Sequence, residues 1–280
     1  MIETENSYGT DIVPTGADAL KVTDLSITPQ VSDVVSRNLI RPFYGASQQL
    51  LANKRVECSF TVEMTNSGTA TTAPAYNKAL QACGLSKTDD SSPDGFTYKP
   101  ESSDFNSVTI YYNVDGVLHK VTGSRGTFSL SATVGEIPTI TFNFTGIYVP
   151  PVDAAAPSGS DLVFVTSADP LIFNNDSLTG SFNAFGSTTR NIQSVSLDLG
   201  NSIVYRETIG SSNAKEVLIT DRAVTGTVVL QAPDNITDKD YFAEAAADAT
   251  ALSTLDFTHG TSAGNQVQIN STKADIGDIT

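Results

Sequence analysis

Apolar and polar residues alternate strictly over three stretches of the chain. In 55–64, Val56, Cys58, Phe60, Val62 and Met64 fall on one side, and Arg55, Glu57, Ser59, Thr61 and Glu63 on the other. In 127–134, Phe128, Leu130, Ala132 and Val134 oppose Thr127, Ser129, Ser131 and Thr133. In 139–145, Ile140, Phe142 and Phe144 oppose Thr139, Thr141, Asn143 and Thr145. A period of two carried by β-branched and aromatic residues predicts half-buried antiparallel strands. Weaker versions of the pattern predict strands at 22–28, 107–113, 117–122, 161–166, 192–199, 216–220, 223–231, 254–258 and 266–270. Helix is predicted in two places only. Pro74 opens a segment with Tyr76, Ala79, Leu80 and Cys83 at helical spacing, and Gly84 stops it. The alanine-rich segment 237–252 is the second, with Thr237 or Asp238 as its cap and acids in its early turns.

The order of elements repeats. VTDLSITPQ at 22–30 is similar to IQSVSLDLG at 192–200, an offset of 170. Each is followed by a polar stretch, a strand (55–64 or 223–231), a helix and a further strand pair. Gly116 and Gly264 align at an offset of 148, which sets Arg125 against Lys273. This is a drifted tandem duplication. The segment YVPPVDAAAPSGSD at 148–161 is rich in Pro, Ala and Ser and serves as the break between copies. The expected organisation is an arm at 1–20, a first domain at 21–149, a linker at 150–161 and a second domain at 162–280. The strand at 138–147 has its counterpart at 286–295, past Thr280. The second copy is therefore expected to lack its last strand, which a neighbour supplies or which lies outside the chain.

A length of 280 residues suits about two domains. Hydrophobic residues make up 39%, enough for a packed core. No apolar run approaches the length of a membrane span, and MIETENSYGTD does not read as a secretory signal. The charge excludes more. With 31 acidic against 16 basic residues the net charge is −15, and a protein that grips nucleic acid concentrates Lys and Arg instead. Cys58 and Cys83 cannot make a disulfide framework and read as two buried thiols.

Candidate chemistry is sparse. His119 and His259 lie in different copies without zinc-type spacing and read as surface histidines. No nucleophile elbow, phosphate loop or dinucleotide fingerprint occurs, so no catalytic residue, metal or cofactor is assigned. Two acidic runs, Asp89–Gly95 and Asp234–Asp240, lack the calcium-loop frame and read as a solvated turn and a helix cap. The polar strand faces carry more information. They hold Ser, Thr, Asn, Gln, Glu and Asp, with Arg55 at one end the single base. An ordinary outer sheet face also carries lysine.

Several extended stretches resemble one family. SYGTDIVPTGADALKVTDLSITP, RNLIRPFYGASQQLLANKRVECSFTVEM, PAYNKALQACG and SVTIYYNVDGVLHKVTGSRG…IPTITFNFTGIYV are similar to the tail tube (major tail) protein of long non-contractile-tailed bacteriophages. SVSLDLGNSIVYRETIG and VLITDRAVTGTVVLQAP extend the resemblance into the second half.

The resemblance implies a mainly β fold of two tandem tube domains, β-sandwiches each with a short flanking helix. It implies a structural protein, not an enzyme. Chains would form rings whose inner sheets merge into a barrel around a lumen, and with two domains per chain a trimer is pseudo-sixfold. The lumen-facing residues would be Glu57, Ser59, Thr61, Glu63, Thr127, Ser129, Ser131, Thr141, Asn143, Thr145, Ser194, Ser196 and Asp198. Stacking loops at 31–54 and 201–221 would bring Arg37, Arg41, Phe43, Tyr44, Tyr205 and Arg206 to the neighbouring ring, and neighbours would order the arm at 1–20. Partners would be further copies, a tape measure protein, a tail terminator and distal tail or baseplate proteins. DNA would pass without specific binding, and the protein would sit in the virion tail after assembly in the host cytoplasm. The competing expectation from the pattern alone is a two-domain immunoglobulin-like adhesin on the virion surface.

Overall fold

The computed structural model describes every residue except 38, 92–93, 188–190, 211–213, 233–234, 236–238 and 248–251. Strand makes up 50% of the chain and helix 8%, a mainly β sandwich with few short helices. Strands from the first half are β1 (Ile2–Thr4), β2 (Thr23–Ser36), β3 (Gln49–Glu63), β4 (Leu85–Ser91), β5 (Asp94–Pro100), β6 (Val108–Val114), β7 (Val117–Thr133) and β8 (Thr139–Tyr148). The second half contributes β9 (Val152–Asp153), β10 (Asn183–Ala184), β11 (Ile192–Asp198), β12 (Asn201–Glu207), β13 (Lys215–Arg222), β14 (Thr225–Leu230), β15 (Ser253–His259) and β16 (Val267–Ala274). The helices are α1 (Asn77–Ala82) and α2 (Tyr241–Ala246).

One sheet spans both halves of the sequence. Its main run is β2-β3-β8-β7-β11-β14, every neighbour antiparallel. The sequence pattern splits β7 into two strands, but it is one strand of 17 residues that changes partner along its length. Its first half pairs with β6 and its second half with β11, while β8 runs along its other side. The register shift between Thr122 and Arg125 falls where the sequence shows Gly123 and Gly126. There is no room for a side chain at Gly126, since a Cβ would lie 2.2 Å from the Asn143 carbonyl oxygen. These glycines admit a bulge rather than ending the strand.

The apolar side of this sheet is the core. Val56, Cys58, Phe60, Val62, Leu130, Ala132, Ile140, Phe142, Phe144 and Val195 are all buried. Phe60 lies 5.5 Å from Phe142 and 5.8 Å from Phe144, ring to ring. Against them pack α1 through Ala79, Leu80 and Ala82, with Cys83 just past its end, β6 through Val108 and Ile110, and β15 through Leu255 and Phe257. Burial pushes the Cys58 thiol up to about 11 and raises Cys83 further, as inert core thiols require.

Several expectations are corrected. Residues 161–166 form an isolated parallel bridge from Phe164 to Ala19 in place of a strand, with the Val163 and Val165 amides donating to the carbonyls of Gly16 and Ala19 at 2.9 Å. The segments expected as loops at 31–54 and 201–221 are the distal arms of hairpins β2–β3 and β12–β13; adjacent apolar residues, Val34-Val35 and Leu50-Leu51 in the first and Ile203-Val204 and Val217-Leu218 in the second, hide the alternation. The acidic run at 89–95 closes the β4–β5 hairpin, and its Ser92 and Pro93 lie outside the described residues. The second helix covers only Tyr241–Ala246 and is capped by Asp240, whose Oδ1 accepts from the Ala243 amide at 2.9 Å. Thr237, Asp238, Asp234 and 248–251 lie outside the described residues. His259 is buried beside Phe173 rather than exposed, and burial lowers its pKa.

The N-terminal arm is tied to its own chain. Strand β1 pairs with β6, and the buried Glu5 carboxylate accepts from Ser107 Oγ at 2.6 Å, Thr109 Oγ1 at 2.8 Å and the Gly123 amide at 2.7 Å. Lys78 bridges Glu3 at 2.6 Å and Asp18 at 2.9 Å, and Lys120 meets Asp11 at 3.0 Å. Burial acts to raise the Asp18 and Asp11 carboxyls, but hydrogen bonds from Lys78 and Thr15, and from Tyr111, Val13 and Lys120, outweigh it and hold both below the ordinary range. With folded values below the unfolded ones, their contribution is complete above about pH 3.9 and is lost as pH falls through the folded values. Amide exchange should therefore show the arm equally protected at pH 7 and 5 and loosened below about pH 3. Loosening already between pH 7 and 5 contradicts these anchors.

Candidate assembly and lumen surface

The opposite side of the six-stranded run is a polar face. Cross-strand register lines its residues into rows. Ser26, Ser59, Asn143 and Thr127 form one row, and Thr61, Thr141, Ser129, Asp198 and Thr225 the next. Glu63, Thr139, Ser131, Ser196 and Thr227 form a third, and Glu57 faces Thr145 and Thr28. Ser194 opposes Thr133 at the far end. Every residue that the sequence placed toward a lumen therefore shares one face of one sheet.

Local packing keeps this face smooth. Thr61 Oγ1 and Thr141 Oγ1 lie 2.9 Å apart, so their hydroxyls satisfy each other and Thr61 is buried among its neighbours. Shallow troughs of about 300 and 360 Å³ run along the face, one past Ser129, Ser196 and Thr227, the other past Ser26, Ser59 and Asn143. The resemblance set strands 22–30 and 223–231 on the inner wall but named no residue there; the face adds Thr23, Ser26 and Thr28 on β2 and Thr225 and Thr227 on β14. Their alternation is interrupted by the positive-φ residue Asp24 and by Gly226, although Thr-Gly-Thr at 225–227 carries the period-two signal.

Two bases border the face, and both are engaged. Arg55 lies 3.4 Å from Asp33 and 3.5 Å from Glu57. Arg125, opposite Thr145, turns its guanidinium onto the carbonyls of Phe105 and Val217, with the Tyr8 ring 4.7 Å away. The open part of the face is left with Glu57, Glu63 and Asp198 as its charges, among hydroxyls and amides.

The predicted contact residues divide between two arms. Beyond Val31, β2 and β3 continue as a projecting hairpin on which Val34, Val35, Leu50 and Leu51 are each about half exposed. At its tip Ile40 (104%) and Tyr44 (107%) are fully exposed and Phe43 is 65% exposed. Arg37 Nη1 donates to Gln48 Oε1 at 3.0 Å and Arg41 Nη1 to the Ala46 carbonyl at 3.2 Å, each tying one side of the tip to the other. Tyr205 and Arg206 are not part of this cluster. They lie on β12, whose hairpin with β13 folds back against the first half of the chain, with Arg206 paired to Glu216 at 2.5 Å.

Among the described residues, no three His, Cys, Asp or Glu converge as a metal site, and no helix is long and apolar enough to cross a membrane. A sandwich with a smooth polar face, open sheet edges and an apolar projecting arm has the features of a self-assembling structural subunit. The sequence profile of the phage tail tube protein family matches residues 2–280, and the chain belongs to that family. Its role is that of a structural component of a virion tail tube. No curated protein matches the chain.

Proposed function

We propose that three copies of this chain close a pseudo-sixfold ring, and that such rings stack into the hollow tube of a long, non-contractile tail through which genomic DNA leaves the capsid. The observation that carries this reading is the six-stranded run, which sets a polar face poor in free cations between two open edges, β2 and β14. Among the described residues, β2 pairs only with β3 and β14 only with β11. Merging such edges between copies removes them, as closure into a barrel does. The polar face then lines the bore, and its carboxylates offer the phosphate backbone no ion pairs.

On this reading residues 21–149 and 162–280 are tandem tube domains with a linker at 150–161, and the arm at 1–20 braces the first. The β2–β3 arm reaches the adjacent ring. Tape measure protein occupies the bore before ejection, and terminator and distal tail proteins cap the ends. Assembly takes place in the host cytoplasm. Negative-stain electron microscopy of the purified chain at rising concentration should show hollow filaments with a regular axial repeat. A chain that stays monomeric at every concentration overturns the proposal.

A further inference from the structure

The segment at 161–166 has the sequence of a strand and almost no sheet to belong to. Leu162, Val163, Phe164 and Val165 form an unbroken apolar run, as in a strand covered on both sides. Val163 is nevertheless 56% exposed and Phe164 45%. The segment touches the N-terminal arm through the Ala19 bridge and the two amide bonds from Val163 and Val165. An extended backbone turns successive amides to opposite sides, and those of Phe164 and Thr166 meet no acceptor among the described residues. One edge of the segment is held by its own chain and the other is bare.

A strand without an outer neighbour lies in the second half. At the offset of 148, β16 is the counterpart of the first part of β7, with Ile269 at the place of Val121. Val121 is 1% exposed, with Tyr148 of β8 opposite it, and β9 carries the same cover on to Val117 and Leu118. Among the described residues β16 pairs with β15 alone. Its Val267 and Ile269 pack toward the core but are only half-buried. The first half covers this edge with its own chain, and the second half leaves it open.

We infer that residues 161–166 of one copy add as a strand to the open edge of β16 in the adjacent copy. The inference rests on the proposed tube, which sets β2 against the second half of the next copy. The bridge at Ala19 lies four residues before Thr23, where β2 begins, so the bare edge of 161–166 stands beside that seam. The inner sheets merge there through β2 and β14, and this second pairing ties the outer layer across the same junction. Main-chain hydrogen bonds supply the attachment, while Val163 and Phe164 leave water against Val267 and Ile269. The segment keeps its bonds to Gly16 and Ala19, so no part of the subunit has to unfold. A donor and an acceptor this short pair poorly by themselves, and the merging inner edges bring them together at high effective concentration.

Two single-cysteine variants, Val163→Cys and Gln268→Cys, mixed and treated with a short bismaleimide, test the pairing, because Cys58 and Cys83 are buried and do not compete. A link between the two variants joins different chains by construction. Tubes grown from the mixture should yield dimers on a denaturing gel, and mixed free subunits or tubes of either variant alone should yield none. Amide exchange on the unsubstituted chain supplies a second readout. On passing from subunit to tube, exchange at both 161–166 and 267–274 should slow by roughly tenfold or more. Mixed tubes without dimers, or tubes in which either segment exchanges as fast as in the free subunit, overturn the inference and leave the tube reading intact. Absence of tubes from the unsubstituted chain overturns the tube reading itself.

Discussion

Glu63→Lys should slow DNA exit about tenfold while leaving tube assembly nearly intact. Glu63 is exposed on the polar face in a row with Thr139, Ser131 and Ser196, none of which can neutralise a cation. In the proposed trimeric ring this adds three cations at the bore. An exposed ion pair contributes about 0.5 kcal/mol, so three passing phosphates per ring raise the barrier by about 1.5 kcal/mol, or roughly tenfold in rate. Ser129→Lys should act more weakly, because Asp198 stands directly beside it as an internal partner. Glu57→Lys should act at least as strongly as Glu63→Lys, since it also frees Arg55 from the carboxylate 3.5 Å away. The readout is the rate of DNA release from purified virions triggered in vitro, with tube length by electron microscopy as control. Ejection at the unsubstituted rate by all three variants means that this face does not line the bore.

A double substitution at the tip of the projecting arm, Ile40→Asp with Tyr44→Asp, should abolish tubes and leave the subunit folded. Both side chains are fully exposed, so the fold loses no contact. Burying each against an adjacent ring is worth about 2 kcal/mol, and placing a carboxylate in that contact adds a desolvation cost. The concentration needed for assembly should rise at least a hundredfold. Sedimentation should report monomers whose thermal midpoint is unchanged. Full-length tubes from this variant would mean that the arm does not join rings.

The polar face was legible in the sequence because alternation is a local signal. Glu57 to Glu63, Thr127 to Ser131 and Thr141 to Thr145 each announce a strand with one polar side, and the depletion of lysine stands out even in an unaligned chain. The repeated order of elements is visible for a similar reason: Val22 to Gln30 and Ile192 to Gly200 share a pattern with few identities. The residues expected at ring contacts lie on two different arms. Arg37, Arg41, Phe43 and Tyr44 sit at one projecting tip, whereas Tyr205 and Arg206 belong to an arm bent onto its own chain. Their composition carries no information about that difference, because the bend depends on one positive φ at Gly200 and on carbonyls from Gly84, Cys83 and Glu101 that are remote in sequence.

Period and composition alone dictate a β protein with a repeated order of elements and a hydroxyl-rich, acidic face, and they reveal no recognisable catalytic motif. How those parts join was settled by tertiary packing. It carried β7 through Gly123 and Gly126 as one strand shared between β6 and β11, docked the N-terminal arm through Glu5, and buried His259 against Phe173. The docking of Glu5 and the burial of His259 turn on edges and cavities that meet across more than eighty residues of chain. A two-residue period sets which way a side chain points, but it is blind to what lies opposite.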